Sequence, residues 1–442
     1  MAWPESRREF DVLVVGAGPA GLAATVCASG GGRRVGLVDD NPDLGGQIWR
    51  NERARPTSPE AAAWFGRAAE ATFEALAGTR VVDVAGPGAL LAEASGRPVE
   101  LGYRALVLAT GARELFLPFP GWTLPNVMGA GGLQALVKSG LPIAGKAVVV
   151  AGSGPLLLAV AAAFRKQGAT IPVIAEQAPL AKLARFGLGL WSEPGKVAQA
   201  LGLRHDLGGV PYRSGSWPVA ATGDDAVRSV VLTDGRARWR VPCDYLACGF
   251  GLVPNLELPA LLGCALGPGL TRVDPWQETS VPGVFCAGEA TGIGGLDAAL
   301  LEGQVAGFAA AGRLDRARAL VPARDRARGF ALDLARAFAL RDELRRLATP
   351  ETIVCRCEDV TAGALAGRPS WVDAKLQTRC GMGPCQGRIC GTAAAFLHGW
   401  ESRTVRPPIF PTAVATLADA LGPGTPGPCS RGEMVDVSMG DG

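Results

Sequence analysis

Residues 10–39 read FDVLVVGAGPAGLAATVCASGGGRRVGLVD, an order of residues that predicts a strand, a glycine turn, a helix and a second strand. Gly16 permits a tight turn, Gly18 lets the backbone approach a pyrophosphate, and Gly21 allows the helix to pack closely on the strand. Asp39 ends the second strand, where it can accept hydrogen bonds from a ribose. The stretch therefore predicts a βαβ dinucleotide-binding unit with the phosphates at the helix N-terminus.

A second unit of the same kind follows at residues 146–176. It keeps Gly152 and Gly154 in its turn, and Glu176 ends the strand that comes next. Leu157 stands where the third glycine of such a turn normally lies, which departs from the pattern. If a nucleotide binds here, NAD fits better than NADP, because no arginine follows Glu176 directly. A fold kept without a working nucleotide site stays open as the alternative.

Two further apolar runs, which end at Gly111 and Gly288, are expected to return to the first sheet, so the second unit is inserted into the first domain. The predicted fold class is α/β, with two Rossmann-like domains and a small, mainly helical C-terminal domain. The predicted bounds are 1–123 and 245–313 for the first domain, 124–244 for the inserted domain, 314–349 for a helical linker, 350–421 for the cysteine-containing domain and 422–442 for a flexible tail.

The composition excludes several classes of protein. With 442 residues the chain needs more than one core, and 44 basic against 41 acidic side chains give too little positive charge for a nucleic-acid partner. No signal peptide is expected, since residues 1–10 carry four charged side chains and no apolar stretch. No transmembrane segment is expected, since the most apolar window, residues 141–164, is broken by lysine, glycines and proline. We therefore expect a cytoplasmic protein, with peripheral attachment to the inner membrane left open.

Several short segments resemble the two-dinucleotide-domain flavoproteins, the thioredoxin- and glutathione-reductase-like group. They are the first glycine motif, Gly45-Gly46-Gln47, Ala109-Thr110-Gly111 and Ala287-Gly288-Glu289. The resemblance implies FAD, with Glu289 in place of the aspartate that usually reaches the ribityl chain and the pyrophosphate. The cofactor-binding residues expected for FAD are Gly16, Gly18, Pro19, Ala20, Gly21, Asp39, Asp40, Gly46, Gln47, Thr110, Gly111, Gly288 and Glu289, and those for NAD or another adenine nucleotide are Gly152, Gly154 and Glu176.

Five of the eleven cysteines lie between residues 355 and 390. Such clustering in a reducing compartment indicates a metal site of four sulfur ligands more than disulfides. Zinc sites more often use C-x-x-C pairs, whereas this chain has the C-x-C pair Cys355 and Cys357. An iron–sulfur centre is favoured over zinc, because a flavin neighbour has use for a one-electron carrier. A centre that only holds the domain together is the structural alternative.

The cysteine segment resembles the bacterioferritin-associated-ferredoxin-like [2Fe-2S] domain. Related chains read Thr-Arg-Ala-Gly-Met-Gly-x-Cys-Gln-Gly-Arg-x-Cys, so Cys380 takes the place of their alanine. The resemblance implies that Cys355, Cys357, Cys385 and Cys390 are the metal ligands. Because Cys380 and Cys385 have the same spacing as Cys385 and Cys390, a ligand set that includes Cys380 stays open.

Over nearly its whole length the chain resembles the α subunits of bacterial multi-subunit dye-linked dehydrogenases, which include opine oxidases, D-hydroxyproline and proline dehydrogenases and hydrogen cyanide synthase. The segments that carry this resemblance are residues 45–50, 130–136, 292–295, 302–304 and 406–409, with the cysteine domain. The family oxidises an amino or imino acid on a glycine/sarcosine-oxidase-like flavoprotein β subunit, in some cases with a small ferredoxin-like subunit. The α subunit passes electrons onward, to a quinone or dye.

This resemblance implies an electron-transfer subunit with no catalytic residue of its own. The inventory agrees, since neither of the two histidines, His205 and His398, lies in a motif typical of a general base. Two other hypotheses remain: a self-sufficient NAD(P)H-dependent reductase of a ferredoxin-like carrier, and a scaffold subunit with structural cofactors. The intact second unit supports the reductase, and Leu157 argues against it.

Overall fold

The computed structural model describes residues 7–190, 194–400 and 405–421. The predicted tail at 422–442 lies outside the described residues. Within these ranges, no helix is both long enough and apolar enough to cross a membrane.

The described residues form strands and helices in alternation along most of the chain. The strands are β1 (Arg7–Val15), β2 (Val35–Asp39), β3 (Glu74–Ala77), β4 (Thr79–Gly86), β5 (Ala89–Ala94), β6 (Arg97–Leu108), β7 (Ala112–Glu114), β8 (Val127–Gly129), β9 (Val148–Gly152), β10 (Ile174–Glu176), β11 (Tyr212–Ser214), β12 (Trp217–Thr222), β13 (Ser229–Thr233), β14 (Arg238–Pro242), β15 (Tyr245–Gly249), β16 (Leu252–Pro254), β17 (Leu266–Gly267), β18 (Leu270–Thr271), β19 (Val284–Cys286), β20 (Ile353–Cys355) and β21 (Val360–Thr361). The α-helices are α1 (Pro19–Ala28), α2 (Pro59–Glu70), α3 (Ala130–Lys138), α4 (Leu156–Lys166), α5 (Leu180–Gly189), α6 (Pro194–Asp206), α7 (Glu257–Leu261), α8 (Gly295–Ala310), α9 (Leu314–Ala337), α10 (Ala362–Leu365), α11 (Trp371–Thr378), α12 (Cys390–His398) and α13 (Val414–Leu421), with 3-10 turns at Gly288–Thr291 and Asp342–Arg346.

The first sheet has seven strands in the order β3-β2-β1-β6-β5-β4, and β19 pairs with β6 on the edge opposite β1, beyond the end of β5. Strands β1, β2, β3, β6 and β19 are parallel, and β4 and β5 add an antiparallel edge. The predicted return of two later strands to this sheet is confirmed, since Val107 on β6 lies opposite Phe285 on β19. Parallel strands covered on both faces need continuous apolar runs, and Val12 to Val15 are all buried.

The second sheet is wholly parallel, in the order β11-β10-β9-β15-β8. A three-stranded antiparallel sheet of β12, β13 and β14 accompanies it. The inserted domain was predicted to end at residue 244. Strand β15, which begins at Tyr245, nevertheless pairs with β9 and β8 of the inserted sheet. A short apolar strand fits either parallel sheet, so the sequence alone could not assign β15 to one of them.

The C-terminal part is tied to both domains. After α9, Leu344 and Leu347 are buried in the core of the inserted domain. The cysteine domain consists of the β20–β21 pair and three helices, α10, α11 and α12. The segment that follows it returns to the first domain, where the Ile409 amide donates to the Val82 carbonyl at 2.8 Å. The first glycine turn and the cysteine cluster therefore belong to domains that pack against one another.

Candidate cofactor sites

The first glycine turn lies between β1 and α1 and is open on its outer side. Gly16 has φ +103°, a conformation that favours glycine, and a side chain there would overlap the Ala109 carbonyl. A side chain on Gly21 would overlap the Gly16 carbonyl. At Gly18, in contrast, no atom lies within 4 Å of a Cβ position. The free space at Gly18, in front of the α1 N-terminus, is what a bound pyrophosphate requires.

Asp39 holds the turn in shape. Its carboxylate accepts hydrogen bonds from the Ala17 amide at 2.5 Å and from the Asn41 amide at 2.8 Å. The side chain is half-buried, so it also borders the open space beside the turn. Asp40 is exposed and faces Arg80 at 3.5 Å. Of these two acids, Asp39 has the position that suits a ribose.

The Gly-Gly-Gln segment is next to this turn, as a flavin site requires. The Gly45 amide donates to the Ala17 carbonyl at 2.9 Å, and a Cβ on Gly46 would lie 2.8 Å from the Gly18 Cα. The Gln47 side chain accepts a hydrogen bond from Arg50 at 2.9 Å. The structure thus brings Gly46 and Gln47 together with the first glycine motif.

Thr110 and Gly111 are fixed by Asn255, which precedes α7. The Thr110 hydroxyl donates to the Asn255 carbonyl at 2.8 Å, and the Asn255 side-chain amide donates to the Thr110 carbonyl at 2.8 Å. The Asn255 backbone amide donates to Gly111 at 3.0 Å. Asn255 was not predicted as a site residue, since only the pairing of β7 with β16 brings it beside Thr110.

Gly288 and Glu289 lie at the end of β19, and Glu302 on α8 holds them in place. One Glu302 oxygen accepts from the Gly288 amide at 2.8 Å and from the Thr291 hydroxyl at 2.6 Å. The other oxygen pairs with Arg328 at 2.6 Å. Sequence reasoning used Glu302 only as part of a family segment. A charged residue within the apolar run of α8 is the signal that could have identified it, because a buried charge needs partners.

Glu289 has one carboxylate oxygen without a hydrogen-bond partner in the described structure. Its Oε1 accepts a hydrogen bond from the Gly295 amide, the first residue of α8, at 3.0 Å. Its Oε2 is buried without a hydrogen-bond partner in the described structure. Burial raises the pKa of Glu289 to about 7. A buried oxygen of this kind calls for a donor from outside the chain, and a ribityl hydroxyl of FAD fits that need.

The second glycine turn has the same backbone but different surroundings. Gly152 has φ +144° and lies against the Gly249 carbonyl, and Gly154 has φ +102° with free space beside it. Leu157 is fully buried, and Gly249 on β15 makes room for it. Glu176 is also fully buried, and its two oxygens accept from the amides of Gly154 and Ala178, both at 2.8 Å. Burial raises the pKa of Glu176 to about 7.

The cysteines form two adjoining groups. The sulfur atoms of Cys355, Cys380 and Cys390 all lie within 4.8 Å of one another, and all three side chains are buried. Cys357 is exposed and lies beside Cys385. Burial raises the pKa of Cys355, and for Cys390 a hydrogen bond with Cys380 is the main cause of a higher pKa. Coordination of a metal would replace these contacts between protonated thiols by bonds from thiolates.

Glycines and one tryptophan shape the loop that carries three of these cysteines. Gly381 has φ +82° and Gly387 has φ +77°, and both lie against the ring of Trp371. Gly383 approaches Cys357 so closely that a side chain there would overlap the Cys357 Cβ. The loop can therefore bring its thiols to Cys355 and Cys357 only with glycine at these positions.

A hydrogen-bonded path joins the two sites. Arg113 donates to the Asn255 side chain at 2.7 Å and to the Arg388 carbonyl at 3.1 Å. Asn255 contacts Thr110 as described above, and Arg388 lies in the cysteine loop between Cys385 and Cys390. Glu257 balances the charge of Arg113 at 3.0 Å. The expected flavin segment and the cysteine loop are therefore neighbours.

Two further cysteines lie in the apolar core of the inserted domain. Cys243 and Cys248 are buried there, and burial raises the pKa of both thiols. All ten cysteines in the described part of the chain are free thiols.

Two Rossmann-like domains, one inserted in the other, with an open glycine turn and an acid beside it, define a flavin-dependent oxidoreductase of the two-dinucleotide-domain class. The chain belongs to the family described as pyridine nucleotide-disulphide oxidoreductase, which it matches over residues 10–317.

The full-length relatives are components of multi-subunit enzymes. The chain is 31% identical over 418 residues to the hydrogen cyanide synthase subunit HcnB of Pseudomonas aeruginosa, a match that covers 86% of this chain and 90% of the relative. It is 33% identical over 473 residues to an opine oxidase subunit of Rhizobium meliloti, with 94% and 99% covered. The L-proline dehydrogenase structure from P. horikoshii shares the fold, with a TM-score of 0.64 and 18% identity over 93% of this chain and 80% of that one.

Proposed function

We propose that this chain is the electron-transfer subunit of a hetero-oligomeric dehydrogenase or oxidase, with FAD and a [2Fe-2S] cluster as its two redox centres. In this proposal a partner flavoprotein subunit oxidises an amino or imino acid of the opine, hydroxyproline, proline or glycine class. Electrons pass through the cluster and this FAD to a quinone or dye acceptor. The names of the full-length relatives, which are subunits of an opine oxidase and of hydrogen cyanide synthase, support the divided task.

The path from Thr110 through Asn255 and Arg113 to Arg388 is the observation that carries the proposal. A structural metal site would need no such neighbour, whereas a cluster that exchanges electrons with a flavin must lie close to it. Through Arg113 the cysteine domain is hydrogen-bonded to the segment that follows Thr110.

The proposed FAD site consists of the first glycine turn, Gly46 and Gln47, Thr110 and Gly111, and Gly288 and Glu289. Bound FAD supplies the hydride and single-electron chemistry. The residues that would hold it are Gly18 at the α1 N-terminus for the pyrophosphate, Asp39 for the ribose and Glu289 for the ribityl chain.

The proposed cluster ligands are Cys355, Cys357, Cys385 and Cys390. Cys355 lies within 4.8 Å of Cys390, and Cys357 lies beside Cys385, as this set requires. Cys380 also lies within 4.8 Å of both Cys355 and Cys390, so a set that includes Cys380 is the alternative. In the proposed set, Cys380 is a fifth thiol that packs on Cys390 within the buried group. Soft thiolates suit iron, and the exposed edge at Cys357 suits exchange with a partner.

The test is anaerobic reduction of the complete complex. The chain is purified with the flavoprotein subunit from the same genome, and each candidate amino or imino acid is added without oxygen. We expect one substrate class to bleach the flavin absorption and to produce the EPR signal of a reduced [2Fe-2S] cluster. A Cys355→Ala complex is the control, in which the EPR signal is lost. Substrate oxidation at full rate by the isolated chain would contradict the divided task.

A further inference from the structure

The chain covers its own second glycine turn on the side of Glu176. After α9, residues 338–341, here named the strap, run across this turn. The Ser153 hydroxyl donates to the Phe338 carbonyl at 2.8 Å. The Gln177 side-chain amide donates to the carbonyls of Phe338 and Ala339 at 3.4 and 3.3 Å. Two backbone carbonyls of the strap therefore occupy the hydrogen-bond donors of Ser153 and Gln177, which flank Glu176.

Gln177 also accepts a hydrogen bond from the strap and is hydrogen-bonded to Ser153. The Arg341 amide donates to the Gln177 side-chain carbonyl at 3.2 Å, and the Gln177 amide also donates to the Ser153 hydroxyl at 2.9 Å. Gln177 is 0% exposed and Ser153 is 8% exposed. Both polar groups of Gln177 are thus engaged by the strap and the turn.

Aromatic and cation–π contacts, with a buried leucine beyond the strap, fix the strap at both ends. The Phe338 ring lies 5.8 Å from the ring of Phe186 on α5. The Arg341 guanidinium lies over the Trp217 ring at 4.2 Å. Leu344, three residues beyond the strap, is fully buried in the core of the inserted domain. A nucleotide that displaced the strap would have to separate these contacts as well as the hydrogen bonds.

The first turn has different side chains at the two positions that hold the strap. Ala17 stands there in the place of Ser153, and the exposed Asp40 in the place of Gln177. Asp39 is half-buried, whereas Glu176 is 0% exposed. On the phosphate side of the second turn, Leu156 is 37% exposed.

We propose that the strap takes the place of the adenosine half of a dinucleotide, so that the second Rossmann-like domain binds no NAD or NADP. Its polar residues Ser153 and Gln177 instead anchor the linker that carries the cysteine domain. NAD(P)H is then excluded as an electron donor, whichever substrate feeds the complex.

The first experiment measures binding. The full-length chain with its flavin is titrated with NAD⁺, NADH, NADPH and ADP-ribose in a calorimeter, and NADH is added anaerobically while flavin absorption is followed. We expect no saturable heat at millimolar ligand and no bleaching of the flavin. Saturable binding of one nucleotide per chain would overturn the proposal.

A second experiment tests the strap directly by hydrogen exchange. Gln177→Leu removes the acceptor of the Arg341 amide, so exchange in the peptide that contains residues 338–341 is expected to rise several-fold. Gln167→Leu, on the exposed end of α4, is the matched control and leaves that exchange unchanged. NADH added to the wild-type chain also leaves it unchanged. Faster strap exchange with NADH, or equal exchange in the two variants, would contradict the proposal; Ser153→Ala replaces Gln177→Leu if that variant does not fold.

Discussion

Glu289 is the residue of the first site with a buried oxygen, Oε2, that lacks a hydrogen-bond partner in the described structure. Its Oε1 accepts a hydrogen bond from the start of α8. Most members of the flavoprotein class resembled by this chain have aspartate at this position. The extra methylene of glutamate lengthens the reach of the carboxylate, while its other oxygen stays anchored to Gly295.

The first prediction concerns FAD affinity. Glu289→Ala is expected to weaken FAD binding about tenfold to about a hundredfold, since a hydrogen-bond partner of the cofactor is lost in a buried site. Glu289→Asp is the conservative control and should retain most of the affinity. The dissociation constants come from fluorescence titration of the apoprotein. Wild-type affinity in Glu289→Ala would show that the side chain does not reach the flavin.

The second prediction concerns pH. Burial raises the pKa of Glu289 to about 7, so the folded chain favours the protonated carboxyl. The resulting stability is complete below the ordinary pKa and is lost as the pH rises through about 7. Without flavin, Glu289→Gln should therefore unfold at the same temperature as wild type at about pH 4 and at a higher one at about pH 8.

Thermal unfolding followed by circular dichroism across this pH range measures the effect. The same substitution at the exposed Glu70 of α2 is the control. A difference between Glu289→Gln and wild type that does not grow with pH would contradict the burial of this carboxyl.

The third prediction assigns the cysteines. Cys380→Ala is expected to keep iron, sulfide and the visible absorption of the cluster, because Cys355, Cys357, Cys385 and Cys390 remain. Cys385→Ala is expected to lose at least half of the iron, since an oxygen ligand from water replaces a thiolate poorly. Iron and acid-labile sulfide are measured per chain. The reverse pattern would make Cys380 a ligand and Cys385 the fifth thiol.

At the scale of elements, helix α8 is fitted to α1 through small residues. Side chains on Gly303 and Gly307 would overlap the backbone carbonyls of Ala20 and Ala24. The two helices therefore meet backbone to backbone, which places Glu302 directly behind Gly288. This close contact is what positions the strand end that is expected to face the flavin.

The fourth prediction tests this contact. Gly303→Ala should lower the melting temperature by several degrees and reduce FAD retention, because the added methyl group has no room against Ala20. Gly66→Ala in α2 is the matched control. Nothing lies within 4 Å of a Cβ at Gly66, so alanine there should stabilise the helix by about 0.5–1 kcal/mol. Equal melting temperatures for the two variants would contradict the backbone contact.

The sequence was sufficient where local patterns decide structure. The first glycine turn and the helix α4 at residues 156–166 follow from short-range spacing, and the structure has them as predicted. The return of β6 and β19 to one sheet was predicted from two apolar runs that end in glycine, and it is confirmed. Side-chain contacts between residues far apart in the chain were beyond reach. Asn255 lies beside Thr110 across 145 residues, and the strap covers Ser153 across 185. No periodicity records such pairs.

At the scale of the whole molecule, the cysteine domain rests on both dinucleotide domains. Trp122, whose ring packs in the core of the inserted domain, donates to the Ile353 carbonyl at 2.6 Å, and Arg113 donates to the Arg388 carbonyl at 3.1 Å. The strap adds a third attachment. These contacts join the small domain to both dinucleotide domains.

The fifth prediction tests the path between the two sites. Arg113→Ala should leave the FAD and iron contents unchanged, since Arg113 is not among the proposed ligands of either centre. It should slow electron exchange between them severalfold, because the cysteine loop loses a tie to Asn255. Arg113→Lys keeps the charge but not both hydrogen bonds, so its electron-exchange rate is expected to lie between those of the wild type and of Arg113→Ala. The rate is measured by rapid mixing with a reductant. An unchanged rate would show that the path is structural only.

The most direct test of the central claim is an anaerobic reductive titration of the purified full-length chain, followed by flavin absorption and EPR. With FAD and one [2Fe-2S] cluster in electronic contact, the chain should take up about three electrons, two on the flavin and one on the cluster. A rhombic EPR signal should appear as the flavin absorption falls. Uptake of about two electrons without an EPR signal from the cluster, with zinc or no metal bound, would contradict the claim.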